Sequence, residues 1–458
     1  MTRLCAFAAL PLALLLGACA TASHMEPDIA AVEARLPAAL PANVPFAPDP
    51  GQVLSGLDAL LPDPVLAGHL DAVLRANRDL AGARIAADIA GARLEQARAR
   101  RLPRIGVSAD AGVASFLSDI DLSDSGGLGA TASYDLDLFG GIAASVRSAA
   151  LREEIAELDA ARLARVLLAR TAQSYVQAIE ADSQLALARE NFDFLGETLR
   201  VSRARFEGGA IARADFALSE AEYENARASL QAQELAARAA RRTLAELRGD
   251  YADAVPAIAA RLPDLAAPGL GYATPRQLLG RHDVRASAAA VRAASADLDA
   301  VVAANRPGAS IVAALGGGGD IGDVFDIDSY VARLTASVAD TVFGGGEVAR
   351  EREARLRVSD AVLRHEQILR DAYAQLAGAL DRTAVLDAQL TALNRAAEAA
   401  DTALELETIR YDLGEAILLD VLTVQRRVNA IQSSAIRARS QYLQAAIDAH
   451  LAVGPAPR

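Results

Sequence analysis

The sequence predicts an α+β membrane fold built from one unit used twice, a β-hairpin feeding a long α-helical hairpin. Three observations predict it. Residues 128–138 (LGATASYDLDL) alternate, with Leu128, Ala130, Ala132, Tyr134, Leu136 and Leu138 on one side and Gly129, Thr131, Ser133, Asp135 and Asp137 on the other. That is a strand with one apolar and one polar face. Next, a helix-compatible run without proline extends from Gly141 to about Arg205. At about 1.5 Å per residue it is a rod of roughly 100 Å, longer than a globular core requires. Finally, the strand-to-helix junction Phe139-Gly140-Gly141 returns as Phe343-Gly344-Gly345, 204 positions later. The chain is a tandem duplication.

Composition narrows the class. The 458 residues are 23 % charged and 52 % hydrophobic, with a net charge of −13. This is too charged for a bundle of membrane helices and too apolar for a disordered chain. All 46 Lys-plus-Arg positions are arginine, and no basic stripe is set aside for phosphates. An acidic chain of this kind has no nucleic-acid partner.

In chain order, residues 1–18 read as a signal peptide: Arg3, the apolar run AFAALPLALLL, then Leu16-Gly17-Ala18-Cys19. This ending resembles the bacterial lipobox, which implies lipid on Cys19 (S-diacylglycerol and N-palmitoyl). An ordinary small-residue cleavage site is the plainer alternative. With Ala20 after the cysteine, the resemblance implies sorting to the outer membrane. Cys5 leaves with the signal peptide, so no disulfide and no catalytic thiol is expected.

Residues 19–64 are rich in Pro and Ala without sustained period and read as a lipid-anchored tether. The first repeat, 65–248, opens with one helix from about Leu66 to Arg101, stopped by Leu102-Pro103. A strand follows at 105–113, then a polar loop FLSDIDLSDSGG at 116–127, then the alternating strand. Each strand is about ten residues, enough to cross a bilayer at a tilt. The long helix places Val146, Ile155, Leu158, Leu163, Val166, Leu167, Val176 and Ile179 three or four apart, as close helix packing needs. Phe206-Glu207-Gly208-Gly209 turns the chain into a return helix from Ile211 to about Arg248. Residues 249–275 hold four prolines and read as an inter-repeat linker in the equatorial region.

The second repeat, 276–453, runs in register with the first, and 454–458 is a short tail. Its strands are expected near 310–315 and 330–338, with Gly316–Gly319 in the loop between them. Its helices are expected from Gly346 to Arg410 and from Ala416 to Val453, joined by Tyr411-Asp412-Leu413-Gly414.

Four membrane-length strands cannot close alone, since the smallest spanning barrels have about eight, and open edges are not tolerated in hydrocarbon. The chain must oligomerise; the strand count alone leaves dimer, trimer and tetramer open. Leu, Ala, Val and Tyr would then face lipid, with Tyr134 and Tyr330 serving either in an interfacial aromatic belt or in ordinary strand packing. Ser108, Asp110, Thr131, Ser133, Asp135, Asp137, Arg333, Thr335 and Ser337 would line water.

Five stretches in order, Leu102-Pro103, SYDLDLFGG at 133–141, RHDVRASAAAVRAA at 281–294, VFGGG at 342–346 and RYDLGEAILLDVLTVQ at 410–425, resemble the TolC/OprM-type outer-membrane efflux lipoproteins. These are the NodT-like outer channels of tripartite RND pumps. The resemblance implies a homotrimer with a 12-stranded β-barrel continued by an α-helical barrel. It further implies passive conduction of drugs or other small solutes from a periplasmic adaptor and an inner-membrane RND transporter.

The same resemblance supplies the site residues. Gly208, Gly209 and Gly414 lie at the helix-hairpin tips that meet the adaptor, where glycine also serves simply to end a helix. Asp420, with Asp215 at the matching position of the first repeat, would ring the periplasmic aperture. The plain reading of both is a carboxylate favoured in a helix's first turn. The family pattern can place another Asp three residues on, where this chain has Thr423. Phe139, Gly140, Gly141, Phe343, Gly344 and Gly345 mark the barrel–tunnel junctions.

Nothing in the sequence points to an enzyme, a metal or a cofactor. The histidines at 24, 69, 282, 365 and 450 are dispersed, and Gly316–Gly319 lacks the Lys-Ser/Thr of a phosphate loop. The alternatives are the outlet of a type I protein secretion system and a periplasm-spanning coiled-coil spacer. The four amphipathic strands argue against the spacer.

Overall fold

The computed structural model describes residues 29–37, 60–116, 119–251, 254–265, 275–319, 326, 328, 330–339 and 346–453. The order is α1 (Ile29–Glu33), α2 (Pro64–Ala76), α3 (Arg78–Ala99), β1 (Arg104–Phe116), β2 (Asp119–Leu136), α4 (Gly141–Glu207) and α5 (Arg213–Leu247). A 3₁₀ turn (Pro275–Gly280) leads to α6 (His282–Ala304), β3 (Gly308–Gly319), β4 (Tyr330–Ala339), α7 (Glu347–Asp412) and α8 (Leu418–Val453). The chain divides into two compact units, one formed chiefly by 94–151 and 291–362, the other by 30–93, 152–290 and 363–458.

The first unit holds a four-stranded antiparallel sheet in the order β1-β2-β3-β4. Its register aligns the apolar positions: Val107 lies opposite Ala130, Tyr134 opposite Ile311, and Ala313 opposite Leu334. Because side chains alternate with period two, this register fixes one apolar face across all four strands. Ile105, Val107 and Leu334 on it are 81, 87 and 79 % exposed, so the described residues leave this face uncovered. On the opposite face Arg104 donates to Asp135 at 2.7 Å, and the Ser310 and Ser337 hydroxyls meet at 2.9 Å. Among the described residues β1 and β4 are each paired on one side only. Behind the sheet in sequence, Leu298 of α6 packs on Ala354 and Val358 of α7. Ser148 of α4 donates to Asp297 at 2.6 Å, and Arg147 to Asp299 at 2.8 Å.

The strands differ from expectation where glycine, serine and aspartate dominate. The stretch 116–127 is not a loop: β1 reaches Phe116 and β2 begins at Asp119. Likewise Gly316–Gly319 is the end of β3, paired with Gly126–Gly129. Ladder bonds are made by backbone, so a run poor in apolar side chains still pairs when its partner is already aligned. A Cβ on Gly318 would stand 2.7 Å from the Gly126 carbonyl oxygen, so this position requires glycine.

The second unit is helical. The one helix expected from Leu66 to Arg101 is two, broken at Asn77, whose side chain accepts from Leu80 N at 3.1 Å and donates to the Leu247 carbonyl at 2.9 Å. The stretch expected as a featureless tether contains α1, and Asp63 caps α2 by accepting from Val65 N at 2.8 Å. Val73, Leu80 and Leu167 form one apolar cluster. Beside it Tyr175, fully buried, donates to Asp63 at 2.6 Å and accepts from Ala259 N at 3.1 Å. Burial, then the Asp63 hydrogen bond, pushes this phenol far above its ordinary range. His69 accepts from Arg248 at Nδ1 (3.2 Å), so Nε2 carries the proton that it donates to the Ala257 carbonyl at 2.7 Å.

The long helix α4 buries Val146, Leu158, Leu167, Val176 and Ile179 of the positions picked out by spacing. Its seam with antiparallel α8 is also polar, which spacing did not reveal. Gln173 donates to Asp448 at 2.7 Å, Gln177 to Gln444 at 3.3 Å and Gln184 to the Ser433 carbonyl at 2.9 Å. Gln425 donates to Asn191 at 3.2 Å, and Asn429 shares that acceptor. Such bonds each contribute about 0.5–1.5 kcal/mol but forbid sliding by a turn, which an alanine-rich seam would otherwise permit.

Candidate functional site

The hairpin tips are built by the same device in both repeats. In the first, Ala210 N donates to the Arg205 carbonyl at 2.7 Å and Gly209 N to that of Phe206 at 2.9 Å. In the second, Glu415 N donates to Arg410 at 2.8 Å and Gly414 N to Tyr411 at 3.1 Å. These paired bonds end a helix with its last residue in the left-handed region. Gly209 and Gly414 have φ of 71° and 79° there. Gly208 does not share that conformation; its N–H still bonds back to Ala204 at 3.0 Å.

The returning helices begin with carboxylates. Asp420 is exposed, and its Oδ2 accepts from Ile417 N at 3.2 Å, the reciprocal bond of a capping box. Asp215 is exposed in the first turn of α5, and the Ser219 hydroxyl one turn on meets both the Asp215 carbonyl and the Ser202 hydroxyl at 3.0 Å. The structure thus gives Asp420 a local helix-starting role. The two hairpins meet near their ends: Leu195, Ala226, Leu418 and Leu422 cluster with Phe192 and Tyr411, and the Arg205 guanidinium lies 4.5 Å over the Tyr411 ring.

The first junction is a capping site. β2 stops at Leu136, and Asp137 does not continue the polar face as expected. Its two carboxylate oxygens accept from Ile142 N at 2.9 Å and Ala143 N at 2.8 Å. A negative charge on the opening amides of α4 satisfies orphan donors and favours the helix dipole. Gly140 takes φ 72° to make the turn, and Arg306 covers the Phe139 ring at 5.3 Å. A Cβ on Gly141 would lie 3.1 Å from that of Ala303, so glycine lets α4 and α6 approach closely. The Asp three residues before a Gly-Gly helix start was the available signal for this cap. Cys19 and the second junction, Phe343, Gly344 and Gly345, lie outside the described residues.

Among the described residues, no helix is long and apolar enough to cross a membrane. The uncovered sheet face is the membrane-type surface of this unit. A duplicated strand hairpin with a bare apolar face, each copy leading into a helical hairpin, defines an outer-membrane channel of the TolC/OprM type. The chain belongs to the outer membrane efflux protein family, whose sequence profile matches residues 69–250 and 274–454. It is 31 % identical over 340 residues to the pyoverdine export outer membrane protein OpmQ of Pseudomonas aeruginosa, covering 74 % of this chain and 71 % of that one. It is 29 % identical over 468 residues to the outer membrane protein OprJ of the same organism, covering 97 % and 95 %. In solved structures, the open-state MtrE outer membrane channel of Neisseria gonorrhoeae superposes with a TM-score of 0.79 at 25 % identity, over 92 % of this chain and 98 % of that one. The protein is an outer-membrane efflux channel of a Gram-negative bacterium.

Proposed function

We propose that three copies close into one conduit, a twelve-stranded barrel continued by a helical barrel, which passively passes small solutes outward. A periplasmic adaptor and an inner-membrane RND transporter deliver the solutes and supply the energy, and lipid on Cys19 anchors each copy. The observation that carries this reading is the four-stranded sheet with an exposed apolar face and edges β1 and β4 paired on one side only. Lipid covers such a face at no cost, but each unpaired edge group in hydrocarbon costs several kcal/mol, so the edges must be joined by neighbouring copies. The names of the relatives, among them pyoverdine export and toluene efflux proteins, support solutes of modest size. Conduction needs no catalysis and no cofactor, and the reading assigns neither.

Planar-bilayer recording of the purified protein tests it. Rare, cation-preferring openings are expected, with Asp420→Ala raising mean conductance as a ring of like charges is removed from the aperture. No conductance under any condition refutes the channel; an unchanged Asp420→Ala removes that residue from the aperture and leaves it a helix cap. Deleting the gene should raise drug susceptibility, whereas loss of a secreted protein alone would indicate a type I outlet.

A further inference from the structure

A cleft of about 460 Å³ in the helical unit is lined by α4, the start of α6, α7 and α8. Four guanidiniums reach it, those of Arg162, Arg165, Arg281 and Arg382, against two carboxylates, Asp283 and Asp448. Four minus two leaves an excess of two positive charges in a chain whose net charge is −13.

The four arginines are not equivalent. Arg281 is saturated: it grips Asp283 through two bonds of 3.0 and 2.8 Å and also donates to the Ala452 carbonyl and to Gln375, both at 3.0 Å. Burial works to raise Asp283, and the Arg281 fork outweighs it and holds the carboxyl below its usual range. Arg281 is therefore a clamp joining α6 to α7 and α8. Arg162 pairs at 3.4 Å with Asp159 on its own helix, and Arg382 stands 3.6 Å from Asp448; both are largely exposed, so these pairs are weak.

Arg165 is the exception. It is half-buried, and among the described residues no carboxylate stands within ion-pair distance of it and its hydrogen bond is a long one, 3.5 Å, to the His450 carbonyl. Burial, then the neighbouring Arg281, lowers its pKa, against a smaller opposite pull from Asp283, which Arg281 already grips. A guanidinium offers five donors in a planar fork, and burying it without an anion is costly. Burial, then Arg165 and Arg285, lowers the His282 pKa and so disfavours a further positive charge in the cleft.

We propose that this cleft binds a small oxyanion, a phosphate or carboxylate group, gripped by Arg165 with Arg162 and Arg382 flanking. Planar forks match such oxygens bidentately, and the cleft's volume suits a small ligand. Since four helices drawn from both repeats line it, the ligand braces the helical unit. The proposal does not depend on the channel reading.

The test uses the full-length protein in detergent, titrated by calorimetry at constant ionic strength with sodium phosphate and, separately, with a short-chain phosphatidic acid. Saturable binding is expected, weakened tenfold to a hundredfold in Arg165→Gln, the loss of a charge-assisted pair. Arg170→Gln, exposed on the same helix and away from the cleft, should bind as the parent does. Binding of the lipid alone, lost in Arg165→Gln, would identify a headgroup as the source of the phosphate. Should Arg165→Gln misfold, the exposed Arg382→Gln is expected to weaken binding at least threefold. Absence of saturable binding by either probe, or an affinity unchanged in these variants, overturns the proposal.

Discussion

Replacing Gly414 by alanine isolates one physical term at a hairpin tip. A Cβ there would meet nothing within 4 Å, so sterics with neighbours contribute no cost. What remains is the left-handed conformation at φ 79°, which an L-residue adopts at a cost of about 1–2 kcal/mol. Gly208 is the control, because it lies in the turn just past the helix without a left-handed φ, and an added Cβ would sit 3.4 Å from the Ala204 oxygen, an ordinary contact. Alanine there should gain roughly 0.4–1 kcal/mol by restricting the unfolded chain. Hydrogen exchange over 405–420 reads the local opening directly. Gly414→Ala should speed exchange by about five- to thirtyfold, since about 1.4 kcal/mol is a factor of ten, and Gly208→Ala should leave its own tip as protected or more so. Unchanged protection in Gly414→Ala, or equal losses in both variants, would refute the assignment of these glycines.

Other consequences follow from the same geometry. Asp137→Ala removes two amide acceptors from the start of α4 and should cost about 1–2 kcal/mol, seen as faster exchange at 142–146. Asp137→Asn should retain most of that protection. Leu334→Arg, on the bare sheet face, should cost about 2–4 kcal/mol at the bilayer midplane and lower the amount of protein recovered in outer membranes, whereas Thr335→Arg on the opposite face should be tolerated. His365 is fully buried; its Nδ1 meets Ser287 Oγ at 2.8 Å, and its Nε2 has no hydrogen bond and lies 4.0 Å from Glu33. Burial lowers its pKa, as it does for His69, so the folded state binds fewer protons than the unfolded state. Stability should therefore fall as pH drops through the unfolded value of about 6.5, and His365→Gln should flatten part of that slope in thermal melts between pH 7.5 and 5.

Much of the architecture is legible in the sequence because each unit must satisfy a single periodic constraint. Leu128 to Leu136 alternates since one face is left bare, and no neighbour within the chain blurs the pattern. The long helices show as proline-free runs with apolar residues three and four apart. The tips were readable because two copies show Gly209 and Gly414 at matching places, each ending a helix. The rest fails for identifiable reasons. Residues 116–127 and Gly316–Gly319 look like loops because side chains carry the strand signal, while the pairing there is made by backbone. Asn77 divides α2 from α3 without proline or glycine, through two side-chain bonds, one to Leu80 nearby and one to a partner 170 residues away. Asp137 sits in phase with the polar face, and only the turn at Gly140 swings it onto the helix start. The Gln173–Asp448 and Gln184–Ser433 contacts and the Arg165 cleft are long-range pairings, and no local pattern encodes them.

The proposed closure of β1 onto β4 between copies is open to direct measurement in native outer membranes. A cysteine at Val107 of β1, scanned against single cysteines along 330–339 of β4, should give an oxidation ladder on denaturing gels that ends at three chains, for only a few partner positions in one register. Ladders that stop at two or extend to four chains, or no cross-link at any of the ten positions of β4, would contradict the account.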